Sequence, residues 1–176
     1  MLRSVSGSNS SRGIAAVVGV GPRLGSAVAR KFASEGYTRS CRSWRRRSRR
    51  RRRRRCSLRV DCADARSVRE AFEGVLSLGP VEVLVYNACE PPADGDGDAS
   101  PRPTPFLAIS PDAFHRALAV SAAGAFYCAH QVIPGMVERG RGTVIFTGSS
   151  ASVTGYAGYS DLSKLIHSLA RSIDHT

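Results

Sequence analysis

Ile14-Ala15-Ala16-Val17-Val18-Gly19-Val20-Gly21-Pro22-Arg23-Leu24-Gly25 is the stretch that decides the fold. Its first five residues are apolar without alternation, which suits a strand buried on both faces. The glycines Gly19, Gly21 and Gly25 follow, and then residues 26–33 take helical spacing. Leu24, Val28 and Phe32 share one face of that helix, and Gly36 stands where a helix C-terminus favours glycine. A glycine turn between strand and helix lets the backbone approach a phosphate. The free N–H groups and the positive end of the helix dipole then face the anion. Glycines in such a turn are equally compatible with a purely structural purpose.

The same alternation continues downstream. Ser57-Leu58-Arg59-Val60-Asp61 reads as a short strand, and Asp64 can cap a helix with the apolar stripe Val68, Ala71, Phe72 and Val75. Gly79-Pro80 ends it, and Val81–Tyr86 forms another buried strand that finishes at Asn87-Ala88. Residues 90–105 are rich in Pro, Gly and Asp and suit a surface loop. Ser110-Pro111-Asp112 starts a long helix that passes Phe114, Leu118, Phe126 and Val132 and stops before Gly140. Residues 143–147 supply the next strand, and the tail from Tyr156 is helix-prone. Strands alternating with helices imply the α/β class, a Rossmann-like doubly wound parallel sheet with helices on both faces.

Two features make that sheet incomplete. From Thr38 to Cys56 the second strand is disrupted, because eleven arginines between Arg42 and Arg55 repel one another and cannot be buried. At the other end, the later strands expected of such a sheet are missing, which exposes an unpaired edge. The expected organisation is therefore a flexible Ser-rich stretch over 1–13 and one incomplete nucleotide-binding domain over 14–176, with an Arg-rich insert at 39–56.

The net charge of +12 belongs to that insert. Thirteen arginines and no acidic residue lie between Arg39 and Arg59, so the rest of the chain carries 12 − 13 = −1. Such a run neutralises phosphates without sequence preference, which makes non-specific nucleic-acid binding from Arg45 to Arg55 one expected property. Five scattered cysteines with no C-x-x-C pair indicate neither a disulfide framework nor a metal site. A reducing, cytoplasmic setting is the default, with organelle targeting left open. Apolar runs such as 14–18 are far below membrane-spanning length, so no membrane is expected.

The glycine turn, Val60-Asp61, Tyr86-Asn87-Ala88 and Thr147-Gly148-Ser149-Ser150-Ala151 occur in the order and spacing of the short-chain dehydrogenases/reductases, and the chain resembles that family from Ile14 to Lys164 outside the insert. Within it the chain looks like a divergent branch, with Arg23 where the middle glycine of the usual turn stands. The resemblance implies NADP or NAD as cofactor. Gly19, Gly21, Arg23, Leu24 and Gly25 would then hold its phosphates, Asp61 would face the adenine, and Asn87 with Ala88 would line the groove. Alternatively, Asp61 is a solvated strand-end carboxylate, and Asn87 a turn residue bonding backbone.

The resemblance also implies a serine that polarises a carbonyl, a tyrosine that transfers a proton, and a lysine four residues later that lowers the tyrosine's pKa. Ser149 fits the first role. The tyrosine position falls on Leu162, while Tyr159 stands three residues early and five before Lys164. The helical asparagine of the proton relay corresponds to Ser121.

Tyr159 and Lys164 thus fill the remaining roles only if the turn adjusts. The implied function is an NAD(P)-dependent oxidoreductase acting on a small carbonyl or alcohol, forming a homo-oligomer through helices at 112–137 and 156–173. Against it stands a catalytically inactive, truncated remnant that binds nucleotide weakly or acts through protein contacts.

Overall fold

The computed structural model describes residues 12–21, 24–40, 55–56, 59–89 and 110–148. Five parallel strands form one sheet: β1 (Arg12–Val18), β2 (Tyr37–Ser40), β3 (Arg55–Cys56), β4 (Val81–Tyr86) and β5 (Thr143–Phe146). Their order is β3-β2-β1-β4-β5. The chain winds outward from β1 to one edge, then returns to lay β4 on the other side of β1. The strand order therefore reverses between β1 and β4, and a crevice opens there at the carboxyl ends of both strands.

Alternation of side chains across the sheet sorts the core into two layers. Ala15, Val17, Val83 and Val85 face α1 (Leu24–Ser34), which packs Val28, Ala29 and Phe32 on them. Ile14, Ala16, Val18, Leu84 and Tyr86 face the opposite side, with Phe72 and Val75 of α2 (Ala65–Leu76) and Ala125, Cys128 and Val132 of α4 (Gly124–Glu138). This is why the apolar runs Ile14–Val18 of β1 and Val83–Tyr86 of β4 are unbroken: both faces of each are buried, and only Glu82 near the start of β4 is half-buried. Helices cover both faces, as the doubly wound reading requires.

The helix starts follow their sequence signals. Asp64 accepts from the backbone N–H groups of Arg66 and Ser67, and Ser110 accepts from Ala113 at the start of α3 (Pro111–Leu118). Each satisfies donors that a first helical turn leaves without partners.

Two boundaries differ from the sequence reading. The second strand survives as four residues, Tyr37–Ser40, before the arginine run begins. Tyr37 packs edge-on against Phe32 at 5.4 Å, which anchors this short strand to α1. The third strand lies at Arg55–Cys56, ahead of residues 59–61, because its pairing to Arg39 and Ser40 is a backbone ladder indifferent to side-chain polarity. The long helix starting at Ser110-Pro111 is one rod, as expected, with a π-helical turn, Ala119–Ala123, joining α3 to α4. At 28 residues the rod is long and apolar enough to cross a membrane by length and composition. Here its buried positions, Ala125, Cys128, Ala129, Val132 and Met136, belong to the core that covers the sheet.

Candidate nucleotide-binding site

Both sides of the crevice between β1 and β4 can be built from short segments. On one side β1 ends at Val18 and the chain turns through Gly19 with φ of +82°, a left-handed conformation that side-chain-bearing residues rarely adopt. A Cβ on Gly19 would overlap the backbone of Asn87 and Ala88, so β1 and β4 approach at their ends only because this residue is glycine. Gly25, in the first turn of α1, is buried for a similar reason, since its Cβ would overlap the carbonyl of Gly19. Gly21 differs: among the described residues, a Cβ there meets nothing within 4 Å. Two of the three glycines thus serve the protein's own packing, and the third faces open space beside the helix start. The turn is pinned by Gly21 N–H donating to the Gly19 carbonyl at 2.9 Å and Ser26 N–H donating to the Gly21 carbonyl at 3.2 Å.

On the other side β4 delivers Asn87. Its backbone N–H donates to the Val18 carbonyl at 2.8 Å, continuing the ladder one residue past the strand. Its side-chain amide donates to the Gly19 carbonyl at 2.9 Å. The amide oxygen accepts from the Thr147 hydroxyl at 3.0 Å, while Thr147 N–H donates to the Tyr86 carbonyl at 3.0 Å. One asparagine therefore ties the ends of β1, β4 and β5 together. Asn87 thus bonds backbone at the carboxyl ends of β1 and β4. Ala88 is buried behind it, and Cys89 is exposed at the lip.

Asp61 ends the segment after β3. Its carboxylate accepts from Ala63 N–H at 3.0 Å, and its own N–H donates to the Ser67 hydroxyl at 2.9 Å. The side chain is exposed, so the outer carboxylate oxygen faces solvent. Leu24 opens α1 and is also exposed, at 54% of its surface.

The fit to a dinucleotide rests on this geometry: an uncrowded glycine backbone at a helix start, located where the strand order reverses. Arg23 and the candidate catalytic residues Ser149, Tyr159 and Lys164 lie outside the described residues, as does the arginine run over 41–54. Two contributors escaped the sequence reading. Thr147 opens the Thr147-Gly148-Ser149-Ser150-Ala151 segment, and its bond to the Asn87 amide is a contact that this segment does not reveal. Tyr86, the strand end that opens the Tyr86-Asn87-Ala88 segment, sends its hydroxyl to the carbonyl of Val120 on the long helix.

The structure also holds a shallow cavity of about 440 Å³ between α2 and α4, lined by Ala65, Arg69, Phe126, Tyr127, His130 and Gln131. None of these residues belongs to the glycine turn or the Asn87 cluster, and the cavity is not part of this site. Among the described residues no group of three or more His, Cys, Asp or Glu is arranged to hold a metal ion.

A model of the short chain dehydrogenase family matches residues 13–163. Among solved structures, a gluconate 5-dehydrogenase from Burkholderia cenocepacia, in complex with NADP and tartrate, superposes with a TM-score of 0.74 at 21% identity. The match covers 92% of this chain and 64% of that one. A short-chain dehydrogenase from Streptomyces avermitilis superposes with a TM-score of 0.76 at 20% identity, over 94% of this chain and 60% of that one. The chain thus spans about three fifths of the length of these structures. No curated protein sequence matches significantly.

Proposed function

The chain belongs to the short-chain dehydrogenase family, and from that premise we propose that it is an NAD(P)-dependent oxidoreductase acting on a small carbonyl or alcohol. The observation that carries this reading is Gly21, whose backbone faces open space while its neighbours Gly19 and Gly25 are consumed by packing. A pyrophosphate laid against a helix start needs such a bare stretch of backbone.

In this reading Gly19, Gly21, Arg23, Leu24 and Gly25 hold the phosphates, Asp61 receives the adenine end, and Asn87 and Ala88 wall the groove. Bound NAD(P) supplies or accepts the hydride. Ser149 polarises the substrate oxygen, Tyr159 delivers or removes its proton, and Lys164 lowers the pKa of that tyrosine. Exposed Phe114, Phe126 and Val137 on the long helix support pairing with a second copy through that face.

Titration calorimetry of the purified full chain with NADPH and NADH at physiological salt tests the reading. Micromolar binding of either cofactor is expected, and binding of neither overturns it.

The spacing of Tyr159 and Lys164 favours a second reading, a chain that keeps the nucleotide site without turnover. In that case cofactor binds and Tyr159→Phe changes no rate with any carbonyl tried. The arginine run supports a further property, non-specific binding of nucleic acid through Arg45 to Arg55. Its affinity for single-stranded RNA should fall steeply with salt, and salt-independent binding would exclude it.

A further inference from the structure

The shallow cavity of about 440 Å³ between α2 and α4 lies outside the nucleotide site and has a chemistry of its own. From α4 it takes the rings of Phe126, Tyr127 and His130 and the amide of Gln131. Residues four apart are neighbours on a helix surface, so 126 pairs with 130 and 127 with 131. The rings form one cluster around Phe126, whose centroid lies 6.1 Å from Tyr127 and 5.8 Å from His130. Phe126 nonetheless keeps 51% of its surface exposed, so this cluster has aromatic surface left to cover.

From α2 the cavity takes Ala65, which adds no more than a methyl group, and Arg69. The acidic groups near them are already engaged. Asp64 spends its two carboxylate oxygens on the N–H groups of Arg66 and Ser67, and Glu70 pairs with Arg66 at 2.9 Å. No Asp or Glu lines the cavity, and among the described residues Arg69 has no acidic partner. A guanidinium presents a planar fork of N–H donors that matches a carboxylate, and one such group matches one negative charge. Aromatic rings accept a flat apolar body in offset or edge-on contact. The volume falls within the range of roughly 300–1,000 Å³ that small-molecule sites occupy.

We propose that this cavity binds a small aromatic monocarboxylate, with Arg69 receiving the carboxylate and the rings of Phe126, Tyr127 and His130 holding the flat body. Gln131 carries an amide that can donate to the same carboxylate. The site is independent of the oxidoreductase reading, since no residue of the glycine turn or the Asn87 cluster lines it.

The probe is naphthalene-2-carboxylate, titrated at physiological salt into the isotopically labelled full chain and followed by NMR. Amide signals of Ala65, Arg69, Phe126, Tyr127, His130 and Gln131 should shift, with a Kd of about 1 mM or tighter. Signals of Gly19, Gly21 and Asn87 should stay in place. Shifts confined to those three, or none at the six up to the solubility of the probe, overturn the site.

Neutral naphthalene-2-carboxamide should bind about tenfold more weakly than the carboxylate, as should the carboxylate to Arg69→Gln. Arg69 is exposed on its helix, so this variant keeps the fold. Phe126→Ala should weaken both probes alike, because it removes ring contact and leaves the charge. Unchanged carboxylate affinity in Arg69→Gln would assign the binding to the arginine run and overturn the proposal. Equal affinity for carboxylate and carboxamide in the wild type would overturn the carboxylate as the recognised group.

Discussion

The side-chain amide of Asn87 donates to the carbonyl of Gly19 at 2.9 Å, joining residues 68 positions apart in sequence. The bond spans the point where the strand order reverses, so the shape of the glycine turn depends on the end of β4. Asn87→Ala removes two part-buried side-chain hydrogen bonds, leaving the Gly19 carbonyl with Gly21 N–H alone and the Thr147 hydroxyl with the Tyr86 carbonyl alone. The expected loss is about 1–3 kcal/mol, a fall in Tm of roughly 2–12 °C for a chain of this size. Cofactor affinity should fall with it. Thermal unfolding and calorimetry with NADPH check both.

Gly21 and Gly25 should respond oppositely to the same substitution. Gly21→Ala adds a methyl group where none of the described residues lies within 4 Å, so unfolding free energy should change by less than about 0.5 kcal/mol while nucleotide binding weakens at least tenfold. Gly25→Ala presses on the Gly19 carbonyl and should destabilise the fold by about 1–3 kcal/mol whether or not nucleotide is present. Urea unfolding separates the two. Equal stability losses would mean that Gly21 serves packing after all.

The raised pKa of Tyr86 has a pH signature. The native state keeps the phenolic proton at pH values where the unfolded chain, titrating near 10.0, has released it. The stabilisation is therefore complete below about pH 10 and is lost as pH climbs above it, at up to about 1.4 kcal/mol per pH unit. Urea unfolding at about pH 9 and pH 11 should show a loss in wild type that is smaller in Tyr86→Phe.

Asp64 accepts two backbone N–H bonds at the start of α2 and is exposed. Asp64→Ala should cost about 1 kcal/mol, and Asp64→Asn much less, because asparagine caps nearly as well. Chemical denaturation of the two variants gives the comparison.

The elements that could be read in the sequence are those whose signal is local. β1 and β4 are legible through the apolar runs Ile14–Val18 and Val83–Tyr86, which burial on both faces explains. Asp64 and Ser110-Pro111 marked helix starts because capping is a matter of three or four adjacent residues. The glycine turn was legible for the same reason. What escaped depends on partners far along the chain. Ala119-Val120-Ser121-Ala122-Ala123-Gly124 is a run of mostly small residues with no amphipathic marker, so nothing in it reveals a shift of hydrogen-bond register. The hydroxyl that reaches the Val120 carbonyl in this turn belongs to Tyr86, on a strand 34 residues upstream. β3 was misplaced because its pairing uses backbone groups that arginine possesses as fully as valine does.

The strand order also sets a timetable for synthesis. β1 sits in the middle of the sheet, yet one of its two neighbours, β4, begins at Val81. A ribosome adding about 5–20 residues per second needs roughly 3–14 seconds to travel from Gly19 to Asn87. Throughout that interval β1 emerges with one flank bare and its apolar residues unpaired, a sticky nascent strand awaiting a partner not yet translated. A chaperone that shelters Ile14–Val18 would guard this protein at its most vulnerable moment, and codons slowing translation before β4 would lengthen the exposure.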